Sequence, residues 1–242
     1  MMTYIIIAII VVFVLLLCFA LAIASFSFDN YLENLKNLNN EENSFGISTL
    51  EYVENINKKH FANNLKIETC KPYEEHYSHN AIALSNDTMT SNSLASLAIV
   101  SHELGHAKQD FEGNKLFKHW KLRKLGRTCG FFFSPLLICG IVLCLLWIFD
   151  ILPQIYVLSI GLSLSSLAFL IFVFAIILKY KEIKIEKDAS EKALDFLKEF
   201  LTLEEISKCK KFLYSARLTY WASLFKTLFG WTHLTSKNKM FK

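Results

Sequence analysis

A mainly α-helical membrane protein with a small α+β segment beside its spans is the fold class this sequence predicts, and three observations predict it. Tyr4 to Phe28, Phe131 to Phe149 and Ile155 to Leu178 carry no charge, and each is long enough to cross a bilayer as a helix. Between the first and second runs lies a polar stretch, 29–127, in which helical and strand periodicities alternate. Finally, 53% of the 242 residues are hydrophobic and the mean hydropathy is positive, at +0.33. A soluble domain of this length needs a core but not three uninterrupted apolar runs.

The elements follow in order. Tyr4 to Phe28 lacks the basic flank of a cleaved leader and its apolar core is longer than a leader's, so it is expected to stay as an anchor. Asp29 to Lys36 reads as a short amphipathic continuation. Ser48 to Lys58 reads as a helix capped by Ser48 or Thr49, with Leu50, Val53 and Ile56 on one side. Leu65 to Cys70 and Ala81 to Ser85 read as short strands, the second placed to offer an edge to an extended peptide. One helix is expected from Thr88 to Gln109, capped by Ser91 or Asn92 and stopped near Gly113.

The second and third apolar runs are separated only by Asp150-Ile151-Leu152-Pro153-Gln154, so they are expected to form a hairpin. After them, Lys181 to Leu194 continues the third run as a charged helix. Thr202 and Glu205 are spaced as a capping box for a helix to Leu213. Ser215 to Trp231 is apolar but carries Arg217 and Lys226, which suits an interfacial helix or a fourth span.

These readings divide the chain into a first span at 4–28, a polar segment at 29–127, a transmembrane hairpin at 128–178 and a helical segment at 179–242. Lys and Arg crowd the flanks at Lys115 to Arg127 and Lys179 to Lys181, and the short turn has none. By the positive-inside rule both polar segments face the cytoplasm of a multi-pass protein in the cell membrane. The net charge of +4 is spread among acids, which argues against a nucleic-acid partner. The six cysteines show no C-x-x-C pair and read as packing residues.

The chemistry is concentrated in Ser101-His102-Glu103-Leu104-Gly105-His106. Two histidines four apart project from one helix face and can hold Zn²⁺, while Glu103, about 100° round the helix, stands beside the metal as a candidate general base. Gly105 is expected to leave room near the metal. A catalytic zinc needs a third protein ligand and an open position. Glu182, Glu186, Asp188 and Glu191 all lie on the right side of the membrane to supply it, and the small pair Ala189-Ser190 would permit close helix packing. His76 and His79 precede the expected edge strand and are placed to approach the site, but read as surface histidines of a short loop, and His60, His119 and His233 have no supporting pattern; none is expected to be a ligand.

The histidine block, the preceding His76-Tyr77-Ser78-His79 and Ala83-Leu84-Ser85, the later Glu186-Lys187-Asp188-Ala189-Ser190-Glu191-Lys192-Ala193-Leu194 and Ala216-Arg217-Leu218-Thr219-Tyr220 together resemble the YugP-type bacterial membrane zinc metallopeptidases. The resemblance implies a gluzincin-like enzyme, with a small α+β zincin-like cytoplasmic catalytic region. It implies that Glu186, opening a Glu-x-x-Ala motif, is the third zinc ligand beside His102 and His106. Tyr220 would be a donor to the substrate carbonyl. The relatives carry Asp where this chain has Ser190, which leaves open whether Asp188 takes over the task of orienting a histidine. The expected activity is zinc-dependent cleavage of membrane-associated or misfolded protein. A catalytically inactive zinc-binding scaffold or adaptor is the alternative, and the intact Glu103 argues against it.

Overall fold

The computed structural model describes residues 2–72, 74–113 and 119–228. The first helix, α1 (Met2–Asn39), runs unbroken for 38 residues, so the amphipathic stretch expected from Asp29 is its final part. Tyr31, Asn34, Leu35 and Leu38 recur at the three- and four-residue spacing of one helix face and pack onto the core. Most side chains of the expected first span, 4–28, lie outside the described residues up to position 21.

α2 (Thr49–His60) begins where Ser48 predicts, with its hydroxyl accepting the Glu51 N–H at 3.3 Å. Its buried side is Tyr52, Val53 and Ile56 rather than one including Leu50. The strands β1 (Lys66–Thr69), β2 (His76–Ser78) and β3 (Ala81–Leu84) form one sheet in the order β1-β3-β2. β3 is parallel to β1 and antiparallel to β2, with Ser78 opposite Ala81. The expected edge strand at Ala81 is therefore the centre of the sheet, and all four of its residues are buried. β2, not anticipated as a strand, joins β3 through His79-Asn80, whose φ angles of 47° and 63° are those of a two-residue type I′ hairpin.

The helix expected from Thr88 to Gln109 is two helices, α3 (Asn86–Thr90) and α4 (Leu94–Phe111). The break is at Ser91, whose extended backbone turns its carbonyl to the Thr49 N–H and hydroxyl at 2.8 and 2.9 Å. Ser93 is then the cap of α4 in place of Ser91 or Asn92, accepting the Ser96 N–H at 3.2 Å. Gly113, at φ +67°, lies just past the end of α4, where a stop was expected.

α5 (His119–Ile148) and α6 (Ile155–Leu197) form the expected hairpin across a turn at 149–154. Small residues let their backbones meet: a Cβ on Gly140 would strike Ser165, and one on Gly161 would approach the Cys144 Sγ to 2.9 Å. Both helices are long and apolar enough to cross a membrane, and only 17% of the most apolar window of each is buried in protein. Phe131, Ile138, Phe169 and Leu170 point outward from them. Two such helices, rather than three or four, are established among the described residues.

α7 (Leu203–Leu228) merges the two helices expected at 202–213 and 215–231. No breaker separates them, since the Ser215 hydroxyl is satisfied within the helix by donating to the Phe212 carbonyl at 2.7 Å. Positions 229–231 lie outside the described residues. Tyr52, Phe61, Leu84, Leu97, Leu104, Leu197 and Phe212 fill a core with α4 at its centre.

Candidate metal centre and catalytic pocket

Burial of Leu94, Leu97, Ala98, Ser101 and Leu104 fixes the rotation of α4, and this turns His102 and His106 toward α6. Tyr52 locks the same turn from behind, its hydroxyl 2.6 Å from that of Ser101. The two helices cross in van der Waals contact at Gly105. A Cβ there would run into the backbone carbonyl of Ala189. Gly105 thus does not clear room for a metal, as expected from sequence; it lets the α4 and α6 backbones touch, which brings Glu186, three residues before Ala189, up to the histidines.

The Nε2 of His102 lies 3.0 Å from Glu186 Oε2, and that of His106 lies 3.5 Å from the same oxygen. Ligand atoms of all three residues fall within 4.8 Å of one another. Ligands about 2.0–2.1 Å from a tetrahedral zinc stand about 3.3 Å apart, so this donor set fits that ion with little adjustment. The other acids are engaged elsewhere. Glu182 accepts from Lys179 Nζ at 2.6 Å, Asp188 accepts from Gln109, and Glu191 faces Lys187 at 3.7 Å.

A second layer fixes both imidazoles. The Gln109 amide donates to the Ile185 carbonyl at 2.8 Å and to Asp188 Oδ2 at 2.7 Å, so its oxygen must be the atom 3.0 Å from His106 Nδ1. His106 therefore donates from Nδ1, and once neutral its ring presents the Nε2 lone pair to the cluster. Ser190 does the same for His102: its hydroxyl donates to the Glu186 carbonyl at 2.8 Å, leaving a lone pair 3.3 Å from His102 Nδ1. Asp188 thus reaches a histidine through Gln109, and Ser190 occupies the place its hydroxyl can serve directly. Gln109 was not singled out from sequence, although its i+3 spacing from His106 puts the two on one helix face.

The cluster is electrostatically tight. Burial alone would lower the His106 pKa, but its hydrogen bond to Glu186, the charges of Glu103 and Glu186 and the Gln109 contact push it up to about 9. Burial would raise Glu186, and the hydrogen bonds and charges of the two histidines hold it well below the usual carboxylate range instead.

His102, Glu103, Glu186 and Tyr220 line one cavity of about 370 Å³. Phe28 and Tyr31 of α1 and Phe212 of α7 give it apolar walls, none of which the motifs announced. Glu103 accepts the Tyr77 N–H of β2 at 2.9 Å. Tyr220 has Lys179 Nζ 5.5 Å from its ring centre. His76 and His79 sit exposed on the β2–β3 hairpin, and His60 pairs with Glu199 at 2.9 Å, all apart from the metal cluster.

A family model described as "Putative neutral zinc metallopeptidase" matches residues 4–236. No curated protein and no solved structure matches the chain.

Proposed function

The chain belongs to this zinc metallopeptidase family, which covers nearly all of it, and on that premise we propose that it is a membrane-embedded endopeptidase acting at the cytoplasmic surface. The observation that carries the reading is the convergence of His102, His106 and Glu186 within 4.8 Å, with His102 and Glu186 lining a cavity that also holds Glu103 and Tyr220. His102, His106 and Glu186 would hold the zinc ion, which when bound supplies Lewis acidity toward water and the scissile carbonyl. Glu103 takes the proton from the attacking water and returns it to the leaving amine nitrogen. The Tyr220 hydroxyl donates to the carbonyl oxygen as charge grows on it. An extended substrate pairs with the outer edge of β2, taking the Tyr77 N–H over from Glu103, rather than with β3, whose two sides are already occupied.

The bilayer is crossed by the N-terminal part of α1, by α5 and by α6 as far as Leu178. Glu186 follows Leu178 by eight residues of continuous helix, about 12 Å along the axis, which keeps the site close to the membrane surface. The basic flanks and the absence of Lys and Arg from the turn at 149–154 support the cytoplasmic orientation. Substrates in this reading are membrane-associated or misfolded proteins.

Purified Glu103→Gln should keep zinc and lose hydrolysis of a casein-type substrate, whereas His106→Ala should lose both. Wild-type rates from Glu103→Gln would sink the mechanism. A zinc-loaded wild-type protein that cleaves nothing would instead point to a scaffold.

A further inference from the structure

A second groove, about 470 Å³, runs between α6 and α7 beside the catalytic cavity, with Ser190, Leu213 and Arg217 lining both. Its remaining rim is basic. Lys187, Lys210 and Lys211 face it against one acid, Glu191, and that acid lies 3.7 Å from Lys187 with both side chains more than half exposed, at 57% and 62%. The adjacent Lys208 is held by Glu41 at 2.7 Å and Glu204 at 3.1 Å. Among the described residues no carboxylate pairs with Lys210, Lys211 or Arg217. The Arg217 guanidinium lies 5.0 Å from the Tyr214 ring centre instead, one helical turn before Tyr220.

We propose that this groove is a specificity subsite for an acidic stretch of the substrate, with Arg217 binding the carboxylate nearest the scissile bond and Lys210 and Lys211 a second one further along. The inference rests on the peptidase reading and adds a substrate class to it. Its register follows from helix geometry. Six to seven residues of α7 separate the lysines from Arg217, about 10 Å, which an extended chain covers in about three residues.

Anionic lipid is the competing source of negative charge, and distance disfavours it at the three lysines. A headgroup layer is about 5–8 Å deep on each face of the hydrocarbon core. Lys187 is nine residues of α6 beyond Leu178, about 13 Å, and Lys210 and Lys211 lie about 10 Å along α7 from Arg217 on the side away from the bilayer, since Tyr220, one turn after Arg217, stands beside Lys179 at the end of the span. An extended peptide seated in the catalytic cavity meets the groove at Ser190, Leu213 and Arg217, which line both.

The test uses full-length protein in nanodiscs and short internally quenched peptides that differ only in Glu, Gln or Lys next to the scissile bond and three positions away. Glu-to-Lys replacement in the peptide should lower kcat/KM on the order of tenfold, the effect of losing a hydrogen bond to a charged group. Arg217→Glu should invert the preference next to the bond. The exposed pair change Lys210→Glu with Lys211→Glu should invert it at the distal position, and that variant carries the test if Arg217→Glu does not fold. Affinities of the same peptides for Glu103→Gln protein, read by fluorescence anisotropy, should rank in the same order without turnover. Preferential binding of acidic peptides with no cleavage would remove the peptidase reading and leave the subsite. Equal affinities for Glu, Gln and Lys peptides would overturn the subsite whatever the activity. So would displacement of bound peptide by phosphatidylcholine vesicles that contain phosphatidylserine but not by vesicles that lack it.

Discussion

The Ser190 hydroxyl lies 3.3 Å from His102 Nδ1 while donating to the Glu186 carbonyl at 2.8 Å, so one small side chain of α6 couples a histidine of α4 to the turn that carries the acid. Ser190→Ala should therefore weaken zinc binding on the order of ten- to a hundredfold, because the His102 ring loses the partner that fixes its tautomer. Ser190→Asp should restore or exceed the wild-type affinity, since a carboxylate is the stronger acceptor. Competition with a metallochromic chelator measures both, and an unchanged affinity in Ser190→Ala would show that the contact orients nothing.

Zinc uptake should be acid-sensitive. In the metal-free protein the His106 pKa is raised to about 9, so below that value a metal must displace a proton from the ring. Apparent zinc affinity should fall by up to about tenfold per pH unit between pH 8 and 6 for each proton displaced. Stability of the metal-free protein runs the other way. A raised folded-state pKa contributes stability that is complete below the unfolded value near 6.5 and is lost as pH rises through 9. Calorimetric titration in buffers of different ionisation enthalpy reads the protons released, and zero release would contradict the assignment.

Close helix contact makes a sharper demand at Gly105. Gly105→Ala forces its Cβ into the Ala189 backbone, which has no rotamer to yield, so α4 and α6 must part. The expected loss is about 1–3 kcal/mol of stability together with zinc affinity, because Glu186 moves with α6. Gly126→Ala is the control, since a Cβ there meets nothing within 4 Å. Equal melting temperatures for the two variants would mean the helices do not cross this tightly in solution.

The parts of this architecture that local rules govern were legible in the sequence. The Ser48 cap, the α5–α6 hairpin and the helical placement of His102 to His106 each follow from residues within a turn of one another. What escaped depends on distant partners. Ser91 leaves the helix because its carbonyl is claimed by Thr49, 42 residues away. β2 is three residues long and its turn uses His79-Asn80 without glycine, so it carries no hairpin signature, and without it β3 reads as an edge. Gly105 offered the same trade in miniature. The residue stood out in the motif, but only the position of Ala189 says what its missing Cβ is for.

The Thr202–Glu205 box illustrates how a local signal acquires a second task. Glu205 Oε2 accepts the Thr202 N–H and hydroxyl at 2.8 and 2.7 Å, the reciprocal cap expected at the start of α7. Its other oxygen accepts the N–H and hydroxyl of Ser44, both at 2.7 Å, tying α7 to the loop after α1. Although burial works to raise its pKa, these hydrogen bonds hold Glu205 down to about 2. A lowered folded-state pKa contributes stability that is present above the unfolded value near 4.5 and is lost as pH falls toward 2. Glu205→Gln should therefore lower stability by about 1–2 kcal/mol at neutral pH and flatten the acid limb of the stability profile. Because α7 carries Arg217 and Tyr220 into the catalytic cavity, the variant should also lose peptide affinity before it loses zinc, whose proposed ligands all lie on α4 and α6. Thermal melts across pH 3 to 7, paired with zinc and peptide titrations, separate these effects; zinc lost together with peptide would show that α7 supports the metal centre itself.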